Sequence, residues 1–148
     1  MRQDLLDEIK SQIENCATNY TVFLRLYELP ITQNLSAEGI FSNLLGSEAV
    51  LGTVEEITED ALCDEVAGSL LYSGFRGAGP SAEVIQSAAF IELIDELKRQ
   101  LYSLAKSSLK VERIFLVRGH PAYPVFWDFA FLFFGHDKAT VLIGSSSD

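Results

Sequence analysis

Two histidines and one strand aspartate are the side chains of this sequence best suited to acid–base or metal chemistry. His120 and His136 each follow a glycine, and Asp128 lies between them in the run Val125–Phe134. That run contains five of the ten phenylalanines and the only tryptophan, so it predicts a central strand that is covered on both faces. A strand of this length separates the two histidines by about 30 Å, at ~3.3 Å per residue. The histidines therefore cannot share a metal ion, and the sequence predicts no metal site and no cofactor.

A pocket for a small ligand or substrate is one alternative, beside the loop 119–124. His120 and Tyr123 lie in this loop, Arg118 precedes it and Asp128 follows it. A carboxylate in so apolar a strand must be ion-paired, hydrogen-bonded or protonated. The first expectation is therefore an ion pair between Asp128 and Arg118. In the alternative interpretation, Asp128 is a general base or a ligand anchor next to His120 and Tyr123.

The glycine-rich segment Gly74–Ser81 allows a second chemical interpretation. If residues 68–73 formed a strand, the helix that follows Ser81 could bind a phosphate group at its N-terminus, assisted by Arg76. The glycine spacing fits neither GxGxxG nor the P-loop, so a linker is the preferred interpretation. The sequence also lacks the GxSxG and HExxH motifs of hydrolases.

The negative charge of the chain is concentrated in one segment. Residues 1–75 contain thirteen acidic and three basic residues, residues 76–148 contain eight of each, and the net charge is −10. Residues 48–65 contain seven acids and neither Lys nor Arg. Such a field repels nucleic acids and anionic membranes and accelerates association with a basic protein. The predicted partner-binding residues are Glu55, Glu56, Glu59, Asp60, Asp64 and Glu65.

Hydrophobic periodicity predicts the elements of the first half of the chain. Apolar residues at three- and four-residue steps indicate a helix over 3–17, and alternation indicates a strand over 21–29. Ser36 and Gly46 have the residue types that begin and end a short helix. Residues 48–72 are ambiguous, because apolar residues follow helical steps whereas Ala49–Ile57 also fits an acidic edge strand. Thr58 is the expected N-cap of the next helix.

The second half predicts a long helix followed by a three-stranded meander. The helix should begin after Ser81 and run to about residue 106, with an apolar stripe that packs on a sheet. Strands are predicted at 111–118, 125–134 and 139–143, with a polar tail after them. The expected fold is α+β in a single domain over 1–148: an antiparallel sheet centred on the meander, packed by the long helix and the N-terminal helix.

Composition favours a protein-binding role. Cys16 and Cys63 are isolated, the start of the chain lacks the order of a signal peptide and no apolar run is long enough for a membrane span, so the expected location is cytoplasmic. Small size, concentrated acidity and lack of catalytic motifs resemble the profile of bacterial toxin-neutralising immunity proteins, and many secretion chaperones share it. The resemblance implies a non-enzymatic inhibitor of a basic partner such as a toxin. The alternatives are a secretion-type chaperone, the 119–124 pocket, and a homo-oligomer joined through the aromatic strand.

Overall fold

The computed structural model describes residues 1–31 and 35–148. Its ten elements are α1 (Gln3–Glu14), β1 (Thr21–Pro30), α2 (Ala37–Leu45), β2 (Val50–Glu56), α3 (Glu59–Leu70), α4 (Ala82–Ile85), α5 (Ala88–Ser107), β3 (Lys110–Arg118), β4 (Trp127–Phe134) and β5 (Lys138–Ser147). None of the helices in these residues is long and apolar enough to span a bilayer.

The five strands form one antiparallel sheet in the order β1-β5-β4-β3-β2. The predicted α+β fold is confirmed, including the adjacent C-terminal strands, and the predicted strand over 21–29 joins the same sheet as β1. The aromatic run forms β4, which lies in the middle of the sheet as predicted.

Both faces of the sheet are covered. On one face the alternate aromatic residues of β4, Phe129, Phe131 and Phe133, join the apolar sides of α1, α3 and α5. On the other face Ala130 and Leu132 contact the smaller cluster around α2. Because successive strand residues point to opposite faces, one apolar run supplies both cores.

Within the ambiguous segment, residues 49–57 contain an edge strand, β2, and not a helix. Two residues after the strand, the Thr58 hydroxyl accepts a hydrogen bond from the Ala61 amide at 3.2 Å and caps α3 as predicted. The acidic segment therefore runs first along the edge of the sheet and then along a helix.

The predicted helix over 81–106 is interrupted. A single turn, α4, precedes a break at Gln86 and Ser87, and α5 begins at Ala88. The Ser87 hydroxyl donates to the Val84 carbonyl at 2.7 Å and accepts from the Phe90 amide at 3.1 Å. Ser87 therefore closes the short turn and caps the long helix, a role that the sequence pattern had assigned to Ser81.

The predicted polar tail is also wrong, because β5 continues through Ser147. Ser145 and Ser146 are each 1% exposed, since β5 lies between β1 and β4 over its last residues. Small residues are needed here because the ring of Phe129 lies over Gly144.

The outer edge of β1 is covered by side chains from α1. Gln3 donates to the Leu24 carbonyl at 3.0 Å and accepts from the Leu26 amide at 2.8 Å. The carboxylate of Glu14 accepts from the Val22 amide at 2.9 Å. These contacts occupy backbone groups that an edge strand otherwise offers to another chain.

Candidate functional site

The six predicted partner-binding acids lie on two consecutive elements. Glu55 and Glu56 are at the end of β2, and the other four are on α3: Glu59, Asp60, Asp64 and Glu65. The fold brings basic residues from the second half of the chain against several of them, so the acidic segment is not uniformly negative.

Arg113 of β3 neutralises two of these acids. Its Nε is 2.7 Å and 2.9 Å from the two carboxylate oxygens of Glu65, and its Nη1 is 3.5 Å from a Glu55 oxygen. Glu55 is the cross-strand neighbour of Arg113, and Glu65 reaches it from the helix above. The hydrogen bond to Glu65 raises the pKa of the Arg113 guanidinium further. Both carboxylates already have a cation within the molecule.

Glu59 and Glu56 have different surroundings. Lys106 of α5 lies 3.5 Å from the Glu59 carboxylate. A hydrogen bond from its own backbone amide, at the start of α3, and the charge of Lys106 lower the pKa of Glu59. Glu56 lies opposite Glu112 in the β2–β3 ladder, and Lys110 is 3.6 Å from the Glu112 carboxylate.

Asp60 and Asp64 are the two acids of α3 that are exposed and form no ion pair with any described residue. They lie on one wall of a groove of about 670 Å³ between α3 and α5. The opposite wall carries Tyr102, whose side chain is 42% exposed, and basic residues. The groove is lined by Asp60, Cys63, Asp64, Lys98, Arg99, Tyr102, Ser103 and Lys106.

Two of the three basic residues that line this groove are paired with other acids, and Lys98 forms no ion pair with any described residue. Arg99 donates to Glu96 at 2.7 Å, and Lys106 pairs with Glu59. The thiol of Cys63 is 6% exposed and donates to the Lys98 carbonyl at 3.5 Å, and burial raises its pKa. Cys63 is therefore a neutral residue at the base of the groove, and the unpaired carboxylates are the groups available to a cation.

A second groove, on the other side of α5, had no counterpart among the sequence-based predictions. It measures about 590 Å³ and contains Glu8 from α1 with Glu92 and Asp95 from α5. The only basic residue in its lining is Arg99. In the sequence, acids near the start of a helix are accounted for by their favourable interaction with the helix dipole. Only the packing of α1 against α5 shows that these acids share one surface.

The structure brings His120 and Asp128 of the alternative pocket near each other, whereas Tyr123 and Arg118 lie apart from them. Phe23 of β1, Ser145 of β5 and Asp128 of β4 are neighbours across the sheet. The His120 ring lies edge-on to Phe23, with 6.3 Å between the ring centres. Tyr123, by contrast, is 83% exposed. The predicted ion pair between Asp128 and Arg118 is wrong: both residues are described, and their side chains do not come within ion-pair distance of each other.

His120 instead holds its own loop. Its Nδ1 accepts a hydrogen bond from the Ala122 amide at 3.1 Å, and the Ser145 hydroxyl donates to the Ala122 carbonyl at 3.3 Å. Burial lowers the pKa of His120, and the negative charge of Asp128 opposes that shift. The neutral imidazole therefore serves as a fixed acceptor inside the fold.

The phosphate-binding interpretation of Gly74–Ser81 is also wrong. Residues 68–70 belong to α3, and every strand pair of the sheet is antiparallel, so the required strand–turn–helix–strand unit does not form. The helix after Ser81 is a single turn.

Comparison with known proteins assigns no family to this arrangement. No protein-family model matches the chain, and no curated protein matches it significantly.

Proposed function

We propose that this protein is a non-enzymatic binding module that holds or inhibits a basic protein partner, in the manner of a toxin-neutralising immunity protein. The contact surface is the groove between α3 and α5. The observation that carries the proposal is that the exposed carboxylates of Asp60 and Asp64, which form no ion pair with any described residue, lie opposite the exposed ring of Tyr102.

The proposal moves the contact surface away from some of the predicted acids. Glu55, Glu59 and Glu65 already have cations within 3.5 Å, and a partner would have to displace those cations to gain a new ion pair. Asp60 and Asp64 require no such exchange. Their charge is directly available to a lysine or arginine of the partner.

Tyr102 supplies an anchor of a different kind. Tyrosine and arginine are enriched among the interface residues that dominate binding energy, because a rigid ring buries a large area with little loss of entropy. The Lys106 ammonium lies 5.6 Å from the centre of the Tyr102 ring. The Tyr102 ring therefore already makes a cation–π contact with Lys106, and a lysine or arginine of a basic partner can make the same kind of contact.

The field around the groove favours the same class of partner. The neighbouring α1–α5 groove adds Glu8, Glu92 and Asp95 on the same helical layer, and the net charge is −10. Fields of this kind raise the association rate with an oppositely charged protein, and salt weakens the effect.

The experiment begins with the partner itself. The protein is tagged, crosslinked in cells of the source organism, and the captured protein is identified by mass spectrometry and purified. Association rates are then measured against salt concentration for the original chain and for Asp60→Lys/Asp64→Lys. A matched control is Glu48→Lys/Asp137→Lys, which changes two exposed acids outside the helical layer. Each double variant changes the net charge by the same amount, from −10 to −6.

The groove variant should associate at least about tenfold more slowly at low salt, and its rate should depend less on salt. The association rate of the control variant should fall much less, because its substitutions alter only the overall charge. A captured partner that is not basic, or equal losses in the two double variants, would contradict the proposal.

A further inference from the structure

A tight turn between α3 and α4 displays an aromatic ring and a cation side by side. Phe75 and Ala78 exchange two backbone hydrogen bonds, at 2.7 Å and 2.9 Å, around Arg76 and Gly77. Both central residues have positive φ, +33° at Arg76 and +82° at Gly77. Positive φ at both positions is the signature of a type I′ turn.

Arg76 is an unusual residue for this position. Glycine, asparagine and aspartate tolerate positive φ, whereas a long side chain at such a position is strained. The arginine gains no ion pair with any described residue in return, and it is exposed. Local strain of this kind is concentrated at functional sites.

Hydrogen bonds from the segment after α1 fix the base of the turn. Thr18 and Gly79 exchange backbone hydrogen bonds at 3.0 Å and 2.8 Å, and the Asn19 side chain donates to the Gly77 carbonyl at 3.4 Å. Gly74 and Gly79 pack so closely that a Cβ on Gly79 would lie 2.5 Å from the Gly74 Cα. The chain therefore cannot relax the strain at Arg76 by moving the stem of the turn.

At the tip of the turn, the Phe75 and Arg76 side chains already lie against each other. The Phe75 side chain is 60% exposed, and the Arg76 guanidinium lies 5.3 Å above the centre of its ring. An aromatic ring covered by an unpaired guanidinium on a fixed backbone loses little entropy when it is buried. The sequence by its pattern indicates Arg76 only as an aid to phosphate binding, and the fold shows that it lies against an exposed ring.

We infer that the Phe75–Arg76 turn is a docking anchor that inserts its ring into an apolar pocket of a partner protein, where a carboxylate on the pocket rim binds Arg76. The exposed Arg76 guanidinium forms no ion pair with any described residue, so it is free to bind a carboxylate, whose two oxygens match its planar donors. A protein is favoured over a nucleic acid because the chain as a whole carries a charge of −10 and repels a phosphate backbone. This inference does not depend on the α3–α5 groove, since it involves other residues and the opposite charge.

The first test separates a docking role from a structural one. Arg76→Asn places asparagine before Gly77, the pair that type I′ turns favour, so the melting temperature should stay the same or rise by about 2–4 °C. A fall in the melting temperature would show that the arginine stabilises the turn, and would overturn the argument from strain.

The second test measures docking with the full chain in cells of the source organism. Phe75 is replaced by the photoreactive p-benzoylphenylalanine, and the crosslinked partner peptide is mapped by mass spectrometry. The matched control carries the same group in place of Leu109, which is 64% exposed at the other end of the sheet. Both photoreactive variants are also made with Arg76→Asn.

The inference predicts one defined adduct from position 75, mapped to an apolar pocket that contains Asp or Glu. Arg76→Asn should reduce this adduct at least about fivefold and leave any adduct from position 109 unchanged. An adduct no stronger than that of the Leu109 control, one that is insensitive to Arg76→Asn, or one that maps to nucleic acid or to a surface without a carboxylate would overturn it.

Discussion

Replacing Gly144 by alanine tests whether β5 and β4 pack as closely as the structure indicates. A Cβ at this position would lie 2.7 Å from Cε1 of Phe129, well inside the ordinary contact distance of roughly 3.5–4.0 Å. The ring would have to move by about 1 Å to restore that contact distance. It is 3% exposed and lies between Trp127, at 5.5 Å, and Phe131, at 5.6 Å between ring centres.

The ring cannot make that movement without displacing the two aromatic neighbours. Overpacking of this kind costs about 1–3 kcal/mol, and the tight surroundings place Gly144→Ala near the upper end. The expected loss of about 2–3 kcal/mol in the free energy of unfolding lowers the melting temperature by about 4–12 °C. The assay is urea denaturation followed by tryptophan fluorescence, with thermal melts as a second measure.

Gly68 provides the matched control for the same substitution. It lies inside α3, and a Cβ there would meet no atom within 4 Å. Gly68→Ala should therefore stabilise the protein by about 0.5–1 kcal/mol through helix propensity. A second variant, Phe129→Leu, removes the clash, so Gly144→Ala should cost much less in that background. Equal stability of Gly144→Ala and the original chain would refute the packing argument.

Two further predictions concern the ends of α5 and the histidine loop. Ser87→Ala should lower the free energy of unfolding by about 1 kcal/mol because it removes the cap of α5. Ser81→Ala should change it by less than about half of that, since the Ser81 side chain makes no cap hydrogen bond. Equal effects of the two substitutions in chemical denaturation would contradict this assignment. Because burial lowers the pKa of His120 in the folded state, the folded protein resists protonation, and its stability should fall as the pH decreases from 7 towards 5. His120→Asn, which keeps an acceptor for the Ala122 amide, should show a weaker loss over that range; identical pH profiles would show that His120 does not contribute.

Local patterns were sufficient for most of the elements. The apolar steps of α1, the caps at Ser36 and Thr58 and the aromatic run of β4 are decided by neighbours within a few residues. The structure contains all of them, although α1 ends at Glu14 rather than 17 and β4 begins at Trp127 rather than 125. The start of the long helix is different, because it lies at Ser87 and not at the predicted Ser81. Both residues are good caps, and only the packed structure determines which of them begins the long helix.

The last strand shows where local propensity fails. Glycine is depleted in strands and serine is common in turns, so the sequence predicts a polar tail over 144–148. In the structure residues 144–147 pair with β1 on one side and β4 on the other, and their small size accommodates the Phe129 ring. A long-range packing requirement selected these residues, and it leaves no periodic signal in the sequence.

The candidate binding surface also depends partly on the local sequence and partly on the fold. The concentration of negative charge in residues 48–65, with no Lys or Arg among them, is read directly from the sequence. Which of these acids remain available depends on the fold, because Arg113 is 48 residues away from Glu65 and Lys106 is 47 away from Glu59. Ion pairing depends on distance in space, so it removed three of the six predicted acids and left Asp60 and Asp64 facing the groove.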